Sequence, residues 1–170
     1  MTLKTARNGH GVYRDGIATL DLERRTLDRL RAEPWQTDDT IGLRYWSHRN
    51  GMAYRSVDYL IDTFVDIVSK NGNLLLSVPP KADGTFDART VHILREIGRW
   101  TRQNGEAIFN TRPWVRFGEG DVHFTRSKDG RVLYAIFLTW PAGGQATVKS
   151  LAATERVING RIITMALLAD

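Results

Sequence analysis

The sequence has no cysteine among its 170 residues. Disulfide bonds and metal sites with thiolate ligands are therefore excluded, and the redox compartment is left open. The sequence also lacks an apolar run near the roughly 20 residues that a membrane-spanning helix needs, so we predict no membrane span. The first nine residues, MTLKTARNG, include no apolar stretch of the kind that a secretion signal carries, and we expect no signal peptide in this chain.

Metal-ligand spacings and nucleotide-binding fingerprints are missing as well. The four histidines, at positions 10, 48, 92 and 123, are scattered and form no His-x-x-x-His pair. The glycine pair at 143–144 marks a turn, and nothing resembles a phosphate-binding loop. We therefore predict no metal site and no cofactor.

The composition is that of a folded protein with a basic surface. Hydrophobic residues make up 42% and charged residues 25% of the sequence, which are globular values. A net charge of +5 would permit nucleic-acid binding. However, acidic residues are interleaved with the arginines, and no aromatic-plus-basic stacking motif is present. We expect a solvated basic surface and no nucleic-acid partner.

Two helices are predicted from their caps and their apolar spacing. Ser56 is placed to cap a helix that runs to about Lys70, with Gly72 closing it. Asp87 is placed to cap a second amphipathic helix, which Gly105 ends. Each carries an apolar stripe at helical spacing, so each is expected to pack on a core.

Two strands are predicted in the same part of the chain. Residues 17–22 alternate as a strand does and follow a turn at 13–16, and residues 73–78 form an apolar run that predicts a strand covered on both faces. Residues 24–33 read as a loop. Residues 35–47 have no clean period, which is typical of a long functional loop.

The pattern changes after Pro113. Short runs at 122–125, 132–139 and 146–148 are separated by turn signals, which indicates an antiparallel sheet or sandwich. We therefore place a domain boundary between residues 112 and 113. The strand–helix alternation of 1–112 indicates parallel α/β structure, but two strands cannot close a parallel sheet.

The stretch from Asn73 to Trp114 carries the strongest similarity. It holds a leucine-rich strand, a Pro-x-x-Asp-Gly loop at 80–84, a helix, and the exit Asn-Gly-Glu-Ala-Ile with Thr-x-Pro-Trp at 104–114. In this order the stretch resembles the end of the catalytic barrel of α-L-fucosidases, glycoside hydrolase family 29. The resemblance extends over about residues 8 to 168. It implies an α/β fold: the C-terminal portion of a TIM-like (β/α)8 barrel in 1–112, followed by an incomplete antiparallel β-sandwich in 113–170.

The resemblance implies a retaining hydrolase that removes terminal α-linked L-fucose from glycans or small fucosides, without a cofactor. Retention needs a nucleophile and an acid/base, two carboxyl groups about 5–5.5 Å apart. The family's aspartate nucleophile lies at the end of an earlier barrel strand, and no segment here matches that strand. We therefore expect the nucleophile upstream of Met1 and an inactive isolated chain.

The resemblance implies Glu23 as the acid/base, because it ends the predicted strand 17–22 and precedes Pro34-Trp35. Without the family context, a solvated glutamate beside two arginines would be the better interpretation. Many relatives carry a glutamate after this tryptophan, but here Gln36 stands there and cannot exchange a proton at neutral pH. Asp38 and Asp39 remain as further candidates for the acid/base.

Two tryptophans are candidates for substrate binding. Trp46 matches an aromatic that relatives pack against the sugar, and Trp35 could line the same pocket. An apolar ring suits the C6 methyl group of fucose and the C–H faces of a sugar. Either tryptophan could instead be a core residue.

Three expectations complete the sequence stage. A noncatalytic carbohydrate-binding or interaction module, resting on Trp46, Trp114 and Trp140, is the alternative function. An oligomer is possible because an apolar strand without parallel neighbours would leave unpaired edges. The family suggests a periplasmic or secreted bacterial protein.

Overall fold

The computed structural model describes residues 2–4, 18–139, 142–143, 147–151 and 161–166, with backbone only for the first and last of these ranges. The predicted turn at 13–16, together with Ile17, His10 and Trp140, lies outside the described residues. Eight strands form two four-stranded sheets, with helices packed between and beside them.

The first sheet is parallel throughout. Its strands are β1 (Thr2–Lys4), β2 (Thr19–Glu23), β3 (Trp35–Thr40) and β4 (Gly72–Ser77), and they lie side by side in chain order. Helix α1 (Val57–Ser69) connects β3 to β4 and covers one face of this sheet. The parallel order requires such crossovers, because the chain must return to the same edge before each strand.

Both predicted helix starts are confirmed. Ser56 Oγ accepts the Tyr59 N–H at 3.1 Å at the start of α1, and Asp87 Oδ1 accepts the Thr90 N–H at 2.7 Å at the start of α2 (Ala88–Asn104). Gly105 is the C-cap of α2, as predicted, and a 3-10 turn follows over Gly105–Ala107.

The predicted end of α1 was wrong. Lys70 is the C-cap, and Asn71 takes the left-handed conformation with φ at 70°. Asparagine tolerates that conformation better than most residues, so it replaced the expected glycine. Gly72 instead lies in β4, where a Cβ would come within 2.6 Å of the Trp35 ring. This glycine is needed for close approach and not for a turn.

Two strand predictions also need correction. Residues 35–40 are strand β3 and not part of a loop; its sequence WQTDDT is polar on one face, which hides the period-2 pattern. Strand β4 is not covered on both faces, since Leu75 is 57% exposed. It is an edge strand of the described sheet, and only its face toward α1 is packed.

The second sheet holds β5 (Thr111–Glu119), β6 (Val122–Ser127), β7 (Val132–Phe137) and β8 (Arg161–Ala166). Strands β5, β6 and β7 are antiparallel, as predicted, but β8 pairs with β7 in parallel. Residues 147–148 are not in a strand, contrary to expectation, and a 3-10 turn follows at Lys149–Leu151. The boundary at 112/113 falls inside β5 and stays a prediction.

Helix α1 joins the two sheets through an apolar cluster. The cluster takes residues from α1, from the end of α2 and the turn after it, and from β7. Its buried members are Ile61, Val65, Trp100, Ala107, Ile108, Tyr134 and Ile136. Burying such side chains contributes about 1.5–3 kcal/mol each relative to exposure, so this cluster fixes the second sheet onto the helix.

A charged contact accompanies this apolar packing. Asp66 on α1 accepts from Lys70 Nζ at 2.6 Å and lies 3.0 Å from Nε2 of His123 on β6. Burial by itself would raise the pKa of Asp66, but the hydrogen bonds from His123 and Lys70 outweigh burial and lower it. Lys70 Nζ also donates to the Leu27 carbonyl at 2.7 Å, so one carboxylate links the helix to both sheets.

We predict that Asp66→Asn lowers the free energy of unfolding at pH 7 by about 1–3 kcal/mol, because two charge-assisted hydrogen bonds are lost. Since the folded pKa of Asp66 is lowered, its stabilising contribution is present above a pH of about 4 and disappears as the pH falls through the folded value. Urea unfolding at pH 7 and at pH 3 measures this. The exposed Asp28→Asn is the control, and an equal deficit for Asp66→Asn at both pH values would contradict the prediction.

Candidate active site

Polar side chains collect at the carboxyl edge of the parallel sheet. Strand β2 ends at Glu23, β3 ends in Asp38, Asp39 and Thr40, and β4 ends at Ser77. The strands are parallel, so all three ends lie along one edge. In α/β folds this edge is where ligands bind.

The two faces of the sheet differ in chemistry. Leu20, Leu22 and Trp35 pack with Ile67 of α1 in one buried cluster, which assigns them to the helix side. Successive side chains alternate between faces, so Asp21 and Glu23 of β2 and Gln36 and Asp38 of β3 lie on the side away from α1. The 3.5 Å contact from Gln36 Nε2 to Asp21 Oδ1 agrees with this assignment.

Glu23 and Asp38 are register partners on that polar face. Neighbouring strands are about 4.8 Å apart, so their carboxyl groups project from adjacent positions. Glu23 is exposed and Asp38 is half-buried. The structure therefore brings three of the predicted site residues, Glu23, Gln36 and Asp38, onto one surface.

Asp39 lies on the opposite face, which separates it from this group. It is 5% exposed, and its Oδ1 accepts from Arg55 Nη2 at 3.2 Å and lies 3.9 Å from Arg24 Nε. The same oxygen accepts the Thr40 N–H at 2.7 Å. A carboxylate held by two guanidinium groups stays ionised, so its role is to bind these arginines.

Trp35 lies in the core. Its side chain is fully buried, its indole N–H donates to the Lys70 carbonyl at 2.9 Å, and its ring packs on Gly72. A buried indole with a satisfied N–H is a packing residue that also ties β3 to the end of α1.

Trp46 has a different environment. It is half-buried on the loop 41–55 between β3 and α1, beside the exposed Leu43 and Tyr45. The Arg24 guanidinium lies 4.6 Å from the centroid of the Trp46 ring. The sequence did not single out Arg24 for this role, because contact between positions 24 and 46 follows only from the strand pairing.

The loop that carries Trp46 is anchored at its base and to α2. Gly42 and Tyr54 form a β-bridge, and the Tyr54 hydroxyl donates to Asp87 Oδ2. That hydrogen bond is the main cause of the lowered pKa of Asp87, and His48 Nε2 lies 3.5 Å from the same oxygen. Asp87 therefore caps α2 and holds the loop, and the sequence had revealed only the cap.

Cavity volume does not mark the polar face. A cavity of about 950 Å³ lies at the amino end of β4, lined by Gly72, Asn73, Phe109 and neighbours. Another of about 380 Å³ lies on the α1 side of the sheet, between Asp39, Asp62 and His123. The polar face is open, as expected where part of a site is contributed by residues outside the described ones.

Other classes of site find no support in the part of the chain that the structure describes. No group of three potential metal ligands occurs there. No helix among the described residues is long and apolar enough to cross a membrane. Trp114, on which a carbohydrate-binding module would rest, packs edge-on against Phe124 with ring centroids 5.2 Å apart.

Comparison with known proteins decides the family. The sequence model described as α-L-fucosidase matches residues 3–106. The chain belongs to the α-L-fucosidase family. Plasma α-L-fucosidase of Pongo abelii is 33% identical over 140 residues, 79% of this chain and 30% of its own length, and that of Homo sapiens is 34% identical over 129 residues, covering 72% and 28%.

Solved structures agree. The α-fucosidase of Thermotoga maritima in complex with fucose is 32% identical with a TM-score of 0.62, covering 74% of this chain and 32% of that one. Another α-L-fucosidase structure reaches a TM-score of 0.67 at 32% identity, covering 74% and 30%. The chain thus spans about 30% of the length of these relatives. They come from animals and bacteria, so they do not support a bacterial source in particular.

We predict opposite stability effects for the two tryptophans. Trp35→Ala should lower the free energy of unfolding by about 3–5 kcal/mol, because it opens a cavity between β3 and α1. Trp46→Ala should cost less than about 1 kcal/mol, the size of a partly exposed cation–π contact. Chemical denaturation of both variants measures this, and equal losses would contradict the assignment of Trp35 to the core and Trp46 to a surface.

Proposed function

We propose that this chain contributes the acid/base side of the active site of an α-L-fucosidase, a retaining glycosidase that hydrolyses terminal α-linked L-fucose. The observation that carries the proposal is the position of Glu23. It ends a parallel strand, is exposed, and lies on the polar face of the sheet beside Asp38. Family membership supplies the reaction class, and the fucose bound to the Thermotoga maritima relative supports the sugar.

The parallel sheet is proposed to be the last part of a (β/α)8 barrel. Helix α1 covers one face and polar groups line the other, as helices and a catalytic interior do in a barrel. The remaining strands, with the aspartate nucleophile, would come from the part of the fucosidase fold that this chain does not match. Strands β5 to β8 would open the β-sandwich domain that follows the barrel.

The chemistry assigns two tasks to Glu23. In the first step, the protonated carboxyl gives its proton to the glycosidic oxygen while the nucleophilic aspartate forms a bond to C1 and the leaving group departs. In the second step, the Glu23 carboxylate takes a proton from water, whose oxygen attacks C1 and releases fucose and the aspartate. Glu23 ends protonated again, so the cycle is balanced.

Two further side chains are proposed to contact the sugar. Trp46 would provide an apolar wall for the C6 methyl group with the ring face that Arg24 leaves open. Gln36 lies on the same face as Glu23 and can donate or accept a hydrogen bond, but it cannot transfer a proton. Asp38 is the next candidate acid/base because it is the register partner of Glu23.

We predict that the isolated chain does not hydrolyse an aryl α-L-fucoside. The proposed nucleophile is absent from it, and loss of a catalytic group of this kind costs several orders of magnitude in rate. Release of the aryl alcohol, followed against a buffer blank, measures this. Turnover above the blank that Glu23→Ala abolishes would overturn the division of the site between this chain and another segment.

The role of Glu23 is tested in a complete enzyme, a chimaera in which this chain replaces the matching segment of the Thermotoga maritima relative. Glu23→Ala should reduce kcat/KM strongly for fucosides with a sugar leaving group and far less for activated aryl fucosides. A sugar alkoxide needs protonation to depart, whereas an activated phenolate does not. Added azide should restore deglycosylation, because this anion attacks without a general base.

Gln36→Ala is the matched control for that experiment. It removes a polar side chain from the same face, so it should lower both substrates modestly and equally, without azide rescue. If Glu23→Ala affects both substrates equally and azide has no effect, Glu23 is not the acid/base, and Asp38 becomes the candidate.

A further inference from the structure

We propose that Arg24 is a positioning residue that holds Trp46 against the strand end carrying Glu23. For the tasks of Glu23 and Trp46 this inference rests on the proposed function. The contacts themselves are independent of it. They involve the backbone of Arg24, its guanidinium group and the first residues of the loop 41–55.

The backbone of Arg24 fixes the end of β2. Its N–H donates to the Asp38 carbonyl at 2.9 Å, which continues the pairing with β3 one residue beyond Glu23. Its φ is 53°, in the left-handed region that residues with a Cβ seldom adopt. The chain therefore turns sharply away from the sheet directly after Glu23, and local structure must hold this conformation.

The side chain of Arg24 supplies that support. Nη1 donates to the Arg44 carbonyl at 3.1 Å, Nε lies 3.9 Å from the buried Asp39 carboxylate, and the guanidinium carbon lies 4.6 Å from the Trp46 ring centroid. One planar group thus joins the end of β3, the backbone of the loop and its tryptophan. A guanidinium can make these contacts at once because it donates in plane and stacks through its face.

These contacts matter because the loop has little packing of its own. Leu43 and Tyr45, which precede Trp46, are 48% and 40% exposed. At the far side the loop is held by Tyr54 and His48 on Asp87, so Arg24 provides the matching anchor near Trp46. Without it the ring would lose its fixed place beside the strand end, and a sugar bound there would lose its orientation toward Glu23.

The first test observes Trp46 directly in the 170-residue chain labelled with 5-fluorotryptophan. Five fluorine resonances are expected, and Trp46→Phe assigns one of them. Arg24→Met should shift and narrow the Trp46 resonance while the other four stay in place. Arg24→Lys keeps the charge but loses the fork that reaches Arg44 and Asp39, so it should give a smaller shift in the same direction.

The neighbouring Arg25→Met is the matched control, because Arg25 is exposed and one position away. An unchanged Trp46 resonance in Arg24→Met, or an equal shift in Arg25→Met, would overturn the inference. If Arg24→Met moves all five resonances because the chain unfolds, Arg24→Lys decides, and an unchanged Trp46 resonance there overturns the inference as well.

The second test uses the chimaeric fucosidase. Arg24→Met should lower kcat/KM by between about tenfold and a hundredfold for both aryl and sugar leaving groups, since a displaced sugar is poorly aligned for either. Arg25→Met should leave it unchanged. If Glu23→Ala shows its leaving-group dependence but Arg24→Met has no effect, the positioning role fails and the proposed function stands. If Glu23→Ala shows none, the proposed function fails, and the fluorine shifts still decide the Arg24–Trp46 contact.

Discussion

The packing of α1 on the parallel sheet is the constraint on which the rest of the structure depends. Leu20, Leu22 and Trp35 are buried against Ile67, so these three positions must point toward the helix. Because strand side chains alternate with a period of two, Glu23 and Asp38 must then point to the other face. A slip of one residue in β2 would bury a carboxylate and expose two leucines, which makes the register strongly specified.

Charged contacts take over where apolar packing ends. Asp66 links α1 to β6 through His123, and Asp39 holds Arg24 and Arg55 at the carboxyl end of β3. Asp87 joins the cap of α2 to the loop 41–55. Each of these carboxylates is partnered, so each acts in the structure. Glu23 is set apart by its exposure and by its place on the polar face, which is why the chemistry is proposed there.

The sequence was sufficient wherever a local pattern determines local structure. Ser56 and Asp87 start their helices as predicted, because a side-chain cap depends on neighbours three residues away. Strand β3 was missed because WQTDDT is polar on the face that a barrel interior would use, and a polar strand resembles a loop. The family resemblance, carried by 73–114, was confirmed by the comparisons.

Longer-range features of the site could not be predicted. Trp35 and Trp46 have similar sequence surroundings, and only the packing of Gly72 and Ile67 separates a core residue from a loop residue. Contact between Arg24 and Trp46 requires β2 to pair with β3, a strand that the sequence did not reveal.

The central claim is that the polar face at the end of β2 presents Glu23 to the scissile bond. A crystal structure of the chimaeric fucosidase with L-fucose bound measures this most directly. The account predicts a Glu23 carboxyl oxygen within about 3 Å of the anomeric hydroxyl, with Trp46 against C6. A sugar whose anomeric hydroxyl meets Asp38 or another carboxylate, with Glu23 directed into solvent, would contradict it.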